Sequence, residues 1–308
     1  MKRFRKGSAH VQLTLDMEIK TLRYLLAVAR EENMTRAAQI LHVTQPTLSK
    51  QLKALEEELG KKLFIRHSFR IELTEEGILL RNRTEDLVEM ADKIEQEFVF
   101  LDGITGGELY LGLAESFQIR YLAREIKKSK ERYPHLRYHI TSGDIEQIAE
   151  KLDKGLLDFL VLAEQPDSRK YEYLEFPESD VCGLIMKRND ALADRQEITV
   201  KDLAGLPLFC SEQAWDKEIK DWAGADFHRL MLEGSFRLSY NGSVFTREGL
   251  EYLLTFDHLI DTSRGSGLAF CPLSPRLESK LYIAWNRYQA FTPIAERFLQ
   301  HLKMSFAR

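Results

Sequence analysis

The stretch at residues 34–60, "MTRAAQILHVTQPTLSKQLKALEEELG", constrains the chain most, because it predicts two short helices joined by a tight polar break. In its second half Leu48, Leu52, Leu55 and Leu59 fall in one narrow wedge at about 100° per residue, the pattern of a helix that buries one side. Thr44 offers an N-cap hydroxyl, Pro46 is tolerated in the first turn where amides have no intrahelical acceptor, and Gly60 ends the helix. The side away from the leucines then belongs to Pro46, Lys50 and Lys53, with Gln45, Thr47 and Ser49 on the N-terminal flank.

The neighbouring sequence frames this helix. After Ile19, the residues Leu22, Leu25, Leu26 and Ala29 recur at helical spacing, and Thr35 is expected to cap a second helix carrying Ala37, Ala38 and Leu41. Beyond Gly60, "KLFIRHSFRIELT" reads as two short strands around a polar turn, and Thr74 is placed to cap a long helix reaching about Leu101. Three helices and a hairpin make a winged helix-turn-helix, in which the N-terminal part of the third helix reaches base edges in a major groove. Gln suits adenine, and Lys suits guanine acceptors or phosphates. The acidic run Glu56, Glu57 and Glu58 sits at the far end of the helix, away from that edge. Arg66 in the hairpin fits a phosphate or minor-groove contact, whereas His67 and Arg70 fit a solvated turn equally well.

In the long helix Leu80, Leu87, Ile94 and Leu101 repeat every seventh residue, interleaved with Thr84, Ala91 and Phe98. Such a seam is expected to meet a second copy of the helix, with packing on its own domain as the alternative. "DGITGG" at 102–107 reads as a hinge, and beyond it strands alternate with helices: "ELYLGLA", a helix near 118–132, "RYHITSG", a helix near 145–154, "LDFLVLA". "DVCGLIMKR", "LPLFC", a helix near 217–222, "FRLSYN", "GLAFCPL" and "LYIAWNR" continue the style before a C-terminal helix. Two α/β lobes are expected, with ligands received in the crevice at the carboxyl ends of strands. The domains expected are an extension at 1–16, a DNA-binding domain at 17–74, a linker helix and hinge at 75–105, and a two-lobed domain at 106–308.

Charge follows the same division. Residues 1–75 hold 14 Lys and Arg against 9 Asp and Glu, while the remainder holds 30 against 39, so the front is basic although the whole chain carries −4. The leader has a basic start without a long apolar run, and no later stretch approaches a membrane span, so a cytoplasmic protein without membrane contact is expected. Residues 1–16 fit an upstream start, an expression remnant or a flexible arm. Cys182, Cys210 and Cys271 are odd in number and widely spaced, which predicts buried free thiols rather than a zinc site or disulfides; a redox sensor is the alternative.

These residues resemble the LysR-type transcriptional regulators. The likeness rests on "LRYLLAVAREENMTRAAQILHVTQPTLSKQLKALEEELGKKLFIR" and "LTEEG", with weaker echoes in "LDFLVL", "VKDLAGLPLF" and "GSGLAFCP". It implies a regulator that binds double-stranded promoter DNA, dimerises through the linker helix, commonly pairs dimers into tetramers, and senses a small-molecule effector in a domain like periplasmic binding proteins. An activator of this type also engages RNA polymerase. Carried over position by position, the resemblance implies DNA contact by Thr44, Gln45, Pro46, Thr47, Ser49, Lys50, Lys53 and Arg66, Thr44 being a cap in the alternative. It places dimer contacts at Leu80, Leu87, Ala91, Ile94 and Phe98. An effector would meet Glu115, Ser116, Phe117, Ser142, Gly143, Ser211 and Asn241, although Glu115 opposes an anion and the three serines also fit ordinary loop capping. "NDALAD" and "TFDHLIDTSRGSGLAF" depart from the family's pattern in the second lobe.

Two other classes compete with this one. A cytoplasmic small-molecule-binding protein with an incidental front adaptor explains the lobes but not the basic helix-turn-helix. An enzyme is not expected, since the sequence shows no Gly-rich phosphate loop, nucleophile elbow or metal-ligand spacing, and no cofactor is predicted.

Overall fold

The computed structural model describes residues 17–67, 70–99, 105–143 and 145–306. The expected extension at 1–16, the seam residue Leu101 and part of the expected hinge lie outside them. The chain divides into two compact units, split between Glu95 and Gln96.

The front unit is built from α1 (Ile19–Glu31), α2 (Met34–Ile40), α3 (Gln45–Leu59), the hairpin β1 (Phe64–Arg66) and β2 (Ile71–Leu73), and most of α4 (Glu75–Val99). Leu25, Val28, Ala37, Leu48, Leu52 and Leu55 form its core, and the small pair Ala37 and Ala38 lets α2 approach its neighbours closely. The α2 cap differs from expectation: Asn33, not Thr35, accepts the amides of Thr35 and Arg36, each at 3.0 Å. A carboxamide oxygen one residue before the helix reaches two first-turn donors, and Thr35 is already helical. Thr44 caps α3 as expected, accepting from the Thr47 amide at 3.4 Å, and Gly60 ends it in the left-handed conformation, φ 63°. Thr74 accepts the Gly77 amide at 3.0 Å and donates to the Lys62 carbonyl at 2.7 Å, which joins the start of α4 to the hairpin. Gly77 is required there, because a Cβ would stand 2.2 Å from the Leu63 carbonyl oxygen.

The back unit opens with β3 (Gly106–Leu113), α5 (Ile119–Arg132), β4 (His135–Ser142), α6 (Ile145–Asp153), β5 (Phe159–Leu162) and β6 (Tyr171–Glu175). It continues through β7 (Asp180–Lys187), β8 (Ile198–Thr199), α7 (Val200–Leu203), β9 (Pro207–Cys210), α8 (Glu212–Ala214), a π turn (Trp215–Ile219), α9 (Lys220–Ala223), β10 (Met231–Ser235) and α10 (Ser239–Glu248). It closes with β11 (Tyr252–Phe256), β12 (Leu268–Ser274), β13 (Glu278–Ser279), β14 (Tyr282–Asn286) and α11 (Pro293–Phe306).

These elements form two lobes. The first has the sheet order β4-β3-β5-β14-β6, in which β3 runs parallel to β4 and β5 while β14 returns antiparallel. The second has the order β10-β9-β11-β7-β12-β8 with β13 beside β7. The chain crosses between lobes twice, after β6 and before β14, and the crossings are tied by the Phe176 amide donating to the Leu281 carbonyl at 2.8 Å. Leu109, Leu111, Phe159, Val161, Ile283 and Phe298 fill the first core, and Leu184, Leu208, Cys210, Leu254 and Cys271 lie in the second.

Two expectations fail in physically instructive ways. Gly106 and Gly107, assigned to the hinge, belong to β3, where Gly106 lies so near β4 that a Cβ would meet the His135 carbonyl carbon at 2.4 Å. "FRLSYN" is not a strand: the strand is β10, and from Ser239 the residues enter α10, because apolar and polar residues alternate by chance across a helix start. The helix expected near 217–222 runs longer, over α8, the π turn and α9.

Candidate nucleic-acid interface and ligand cleft

The leucine side of α3 is wholly consumed by the front core, which leaves its other side free for contact. Thr44, Gln45, Pro46, Thr47, Lys50 and Lys53 are exposed and Ser49 is half-buried. The Thr44 hydroxyl lies 2.8 Å from that of Thr47, so capping engages both at the tip of the helix. Arg66, the last residue of β1, donates to Ser49 Oγ at 3.2 Å. This contact places the wing's base and the N-terminal half of α3 on one continuous polar surface. Lys53 faces Glu57 at 3.4 Å, whereas Lys50 has no ion pair among the described residues. Arg70 is committed elsewhere: it pairs with Glu32 at 2.8 Å and faces Glu72, fastening the hairpin to the end of α1.

The acidic end of α3 holds a residue that pattern alone missed. Glu56 is buried, accepting the Leu63 amide at 2.8 Å, the Phe64 amide at 3.3 Å and Lys62 Nζ at 3.1 Å. Burial by itself raises its carboxyl, but the Leu63 amide, Lys62 and the Phe64 amide together outweigh it and hold the group below the ordinary glutamate value. Glu56 thus anchors the first wing strand to the recognition helix. The only sequence signal was an acid three residues after Lys53 with a strand to follow.

Along α4 the expected seam divides into two kinds of residue. Thr84 is fully buried and Leu80 packs against the front core, while Leu87, Ile94 and Phe98 are exposed and Ala91 is half-buried. Arg23 of α1 reaches Asp92 at 2.6 Å, which holds α4 against the front unit.

In the back unit, loops at strand ends meet between the lobes. Glu115, following β3, accepts the Ser239 amide at the start of α10 at 2.7 Å. Phe117 packs against His258 of the other lobe with centroids 4.6 Å apart, and Lys217 reaches Glu164 at 2.6 Å. Ser116 is buried and accepts the Gln118 amide at 2.9 Å, and Ser211 caps α8 through the Ala214 amide at 3.3 Å. Ser142, Gly143 and Asn241 are exposed. The structure therefore joins Glu115, Ser116 and Phe117 in one cluster, and adds Gln118, Asp180, Ser239, Thr255 and His258, which sequence reasoning did not select.

All three cysteines are buried and free. Burial pushes the Cys182 thiol up to about 12 and raises Cys210 and Cys271 too, so these groups remain protonated at neutral pH. Among the described residues no cluster of three His, Cys, Asp or Glu side chains is placed to hold a metal, and no helix is long and apolar enough to cross a membrane.

Comparison with known families decides what this arrangement is. A model of the bacterial regulatory helix-turn-helix proteins of the lysR family matches residues 19–78, and a model of the LysR substrate binding domain matches residues 103–307. The chain belongs to the LysR family. LysR-type relatives span it: the HTH-type transcriptional regulator AlsR of Bacillus subtilis is 27% identical over 289 residues, 93% of this chain and 91% of the relative. BsdA of the same organism is 29% identical over 218 residues, 70% of this chain and 74% of the relative. OxyR, a dual regulator of Escherichia coli K12, is 32% identical over 198 residues, 64% of each chain. The LysR-type fold is shared with CbnR at TM-score 0.76 and 20% identity, over 94% of this chain and 99% of CbnR. CbnR in complex with its target DNA matches at TM-score 0.77 and 21% identity, over 94% and 100%. This LysR-family chain is a DNA-binding transcriptional regulator with a winged helix-turn-helix and a two-lobed mixed α/β domain.

Proposed function

We propose that this regulator reads a promoter sequence with the N-terminal half of α3, using Gln45, Pro46, Thr47, Ser49 and Lys50, with Lys53 and Arg66 on flanking phosphates. Thr44 serves as the cap. The observation that carries the reading is the Arg66–Ser49 hydrogen bond at 3.2 Å, which draws the wing onto the exposed tip of the helix beside Lys50, which has no ion pair among the described residues. That CbnR has been captured on its target DNA supports it. Two copies join through α4, with Leu87, Ala91, Ile94 and Phe98 at the seam and Leu80 steadying the helix on its own domain, and dimers pair into a tetramer. The cleft at Glu115, Ser116 and Phe117, flanked by Ser142, Gly143, Ser211 and Asn241, receives a small-molecule effector. The protein acts in the cytoplasm, catalyses no reaction, and contacts RNA polymerase where it activates.

A mobility-shift titration with the DNA upstream of its own gene tests this reading. A discrete retarded complex at low salt, outcompeted by the same sequence and not by unrelated duplex, is expected. Equal competition by both duplexes, or no complex, overturns it.

A further inference from the structure

The basic residues of the wing are engaged in different ways. Arg66 closes β1 and donates to Ser49 Oγ at the tip of α3, 3.2 Å away. Arg70, just before β2, turns instead to the end of α1. Its Nε lies 2.8 Å from Glu32 Oε2 and its Nη2 donates to Glu32 Oε1 at 3.2 Å, a two-pronged pairing that fixes a guanidinium in direction as well as place. Glu72 brings a second carboxylate, with Oε1 3.5 Å from Arg70 Nη1 and Oε2 3.6 Å from His67 Nε2. Glu32 is itself held by the backbone: it ends α1 in the left-handed conformation, φ 48°, and its carbonyl accepts the Ile71 amide at 2.9 Å. Glycine or asparagine fills such a position at lower cost. What glutamate adds there is a carboxylate, and that carboxylate is spent on Arg70.

A guanidinium on a wing is ordinarily a phosphate contact, blind to sequence and visible as about one unit of salt slope. To reach a phosphate, Arg70 would have to leave both carboxylates and turn them toward the polyanion, where like charges repel. Resting on the assignment of the α3 tip and the wing as the DNA-facing surface, we infer that Glu32 is a positioning residue for DNA binding, acting through Arg70. Its carboxylate holds that guanidinium off the phosphate backbone, so that Arg66 is the wing arginine that engages DNA and the sequence-independent part of the affinity is kept low. The pair is exposed and adds little to stability, and the Ile71 amide keeps its carbonyl acceptor when the carboxylate is replaced, so the wing stays in place without the charge.

Fluorescence anisotropy of the full chain across salt concentrations tests this on two duplexes, one from upstream of its own gene and one unrelated, with the wild type, Glu32→Gln, Arg70→Ala and the double variant. Arg70→Ala should leave the slope of log affinity against log salt unchanged. Glu32→Gln should tighten binding to both duplexes alike and steepen the slope by about one unit, the mark of one added phosphate contact. That gain should vanish in the double variant. A slope shallower by about one unit in Arg70→Ala, no response to Glu32→Gln, or a Glu32→Gln gain that persists without Arg70 overturns the inference, the last because loss of a negative charge alone would then explain it. A lowered thermal transition with weaker binding in Glu32→Gln also overturns it, since the carboxylate would then be structural. Lys50→Ala on the same duplexes keeps the two claims apart. Unchanged binding in that variant rejects the reading of the α3 tip, whereas a shallower slope there with no response to Glu32→Gln rejects only the role of Glu32.

Discussion

At the scale of single residues, the most informative side chain of the front unit is one that touches no ligand. Glu56 ends a helix built for contact with DNA, and it turns inward to accept two amides of the wing strand. Its carboxyl is held low, so its contribution to stability is fully present above the ordinary glutamate value and is lost as pH falls through the lowered one. Glu56→Ala leaves the Leu63 and Phe64 amides unpaired and is expected to cost about 1–3 kcal/mol at neutral pH. Urea unfolding of the front unit, with amide exchange at Leu63 and Phe64, measures this, and the gap to wild type should narrow as the buffer is taken below the carboxylate range. An unchanged exchange rate at both amides would sink the assignment. Arg70 gives the opposite lesson. Sequence left it between phosphate contact and solvated turn, and in the fold it pairs with Glu32 and faces Glu72, exposed pairs of the kind that contribute little.

At the scale of elements, periodicity located the helices and strands of the front unit and most of those of the first lobe, but it missed β6, β8, α7, β10, α10, β11 and β13, and boundary chemistry was a second place where it fell short. Leucine spacing placed α1 and α3, and Thr44, Gly60 and Thr74 marked ends as helix-capping rules require. Asn33 escaped because Thr35 offers an equally good hydroxyl two residues on, and only the backbone conformation chooses between them. The α4 heptads were legible as a pattern but not as a division of labour, since sequence cannot say which turns of a helix its own domain covers. The structure separates them. Leu87→Asp or Ile94→Asp should lower the mass measured by light scattering while leaving the thermal transition of the front unit in place, because those side chains are exposed. Mass unchanged in both variants would reject α4 as the dimer seam. Gly77→Ala should instead destabilise the front unit by about 1–3 kcal/mol, through strain against the Leu63 carbonyl, as a fall in its unfolding midpoint. An unshifted midpoint would show that α4 yields at this point.

At the scale of the whole molecule, the order of parts and a crevice between two lobes were readable, and the side chains that face one another across that crevice were not. A basic helix-turn-helix, a long helix and two alternating α/β lobes follow one another in sequence, and each rests on local patterns. The cleft is assembled from residues more than a hundred positions apart, Glu115 with Ser239 and Phe117 with His258, so no local spacing announces it. Ser116 and Ser211 were visible as loop serines, and both are engaged with neighbouring amides rather than left free.

The claim on which the account turns is that the tip of α3 meets DNA, and Lys50 is the residue best placed to report on it. Fluorescence anisotropy of a labelled duplex from the upstream region, titrated across salt concentrations, yields the slope of log affinity against log salt. For Lys50→Ala the slope should become shallower by about one unit with weaker binding, and for Lys53→Ala the change should be smaller because Glu57 already faces that ammonium. Identical slopes and affinities for the wild type and Lys50→Ala would contradict the account.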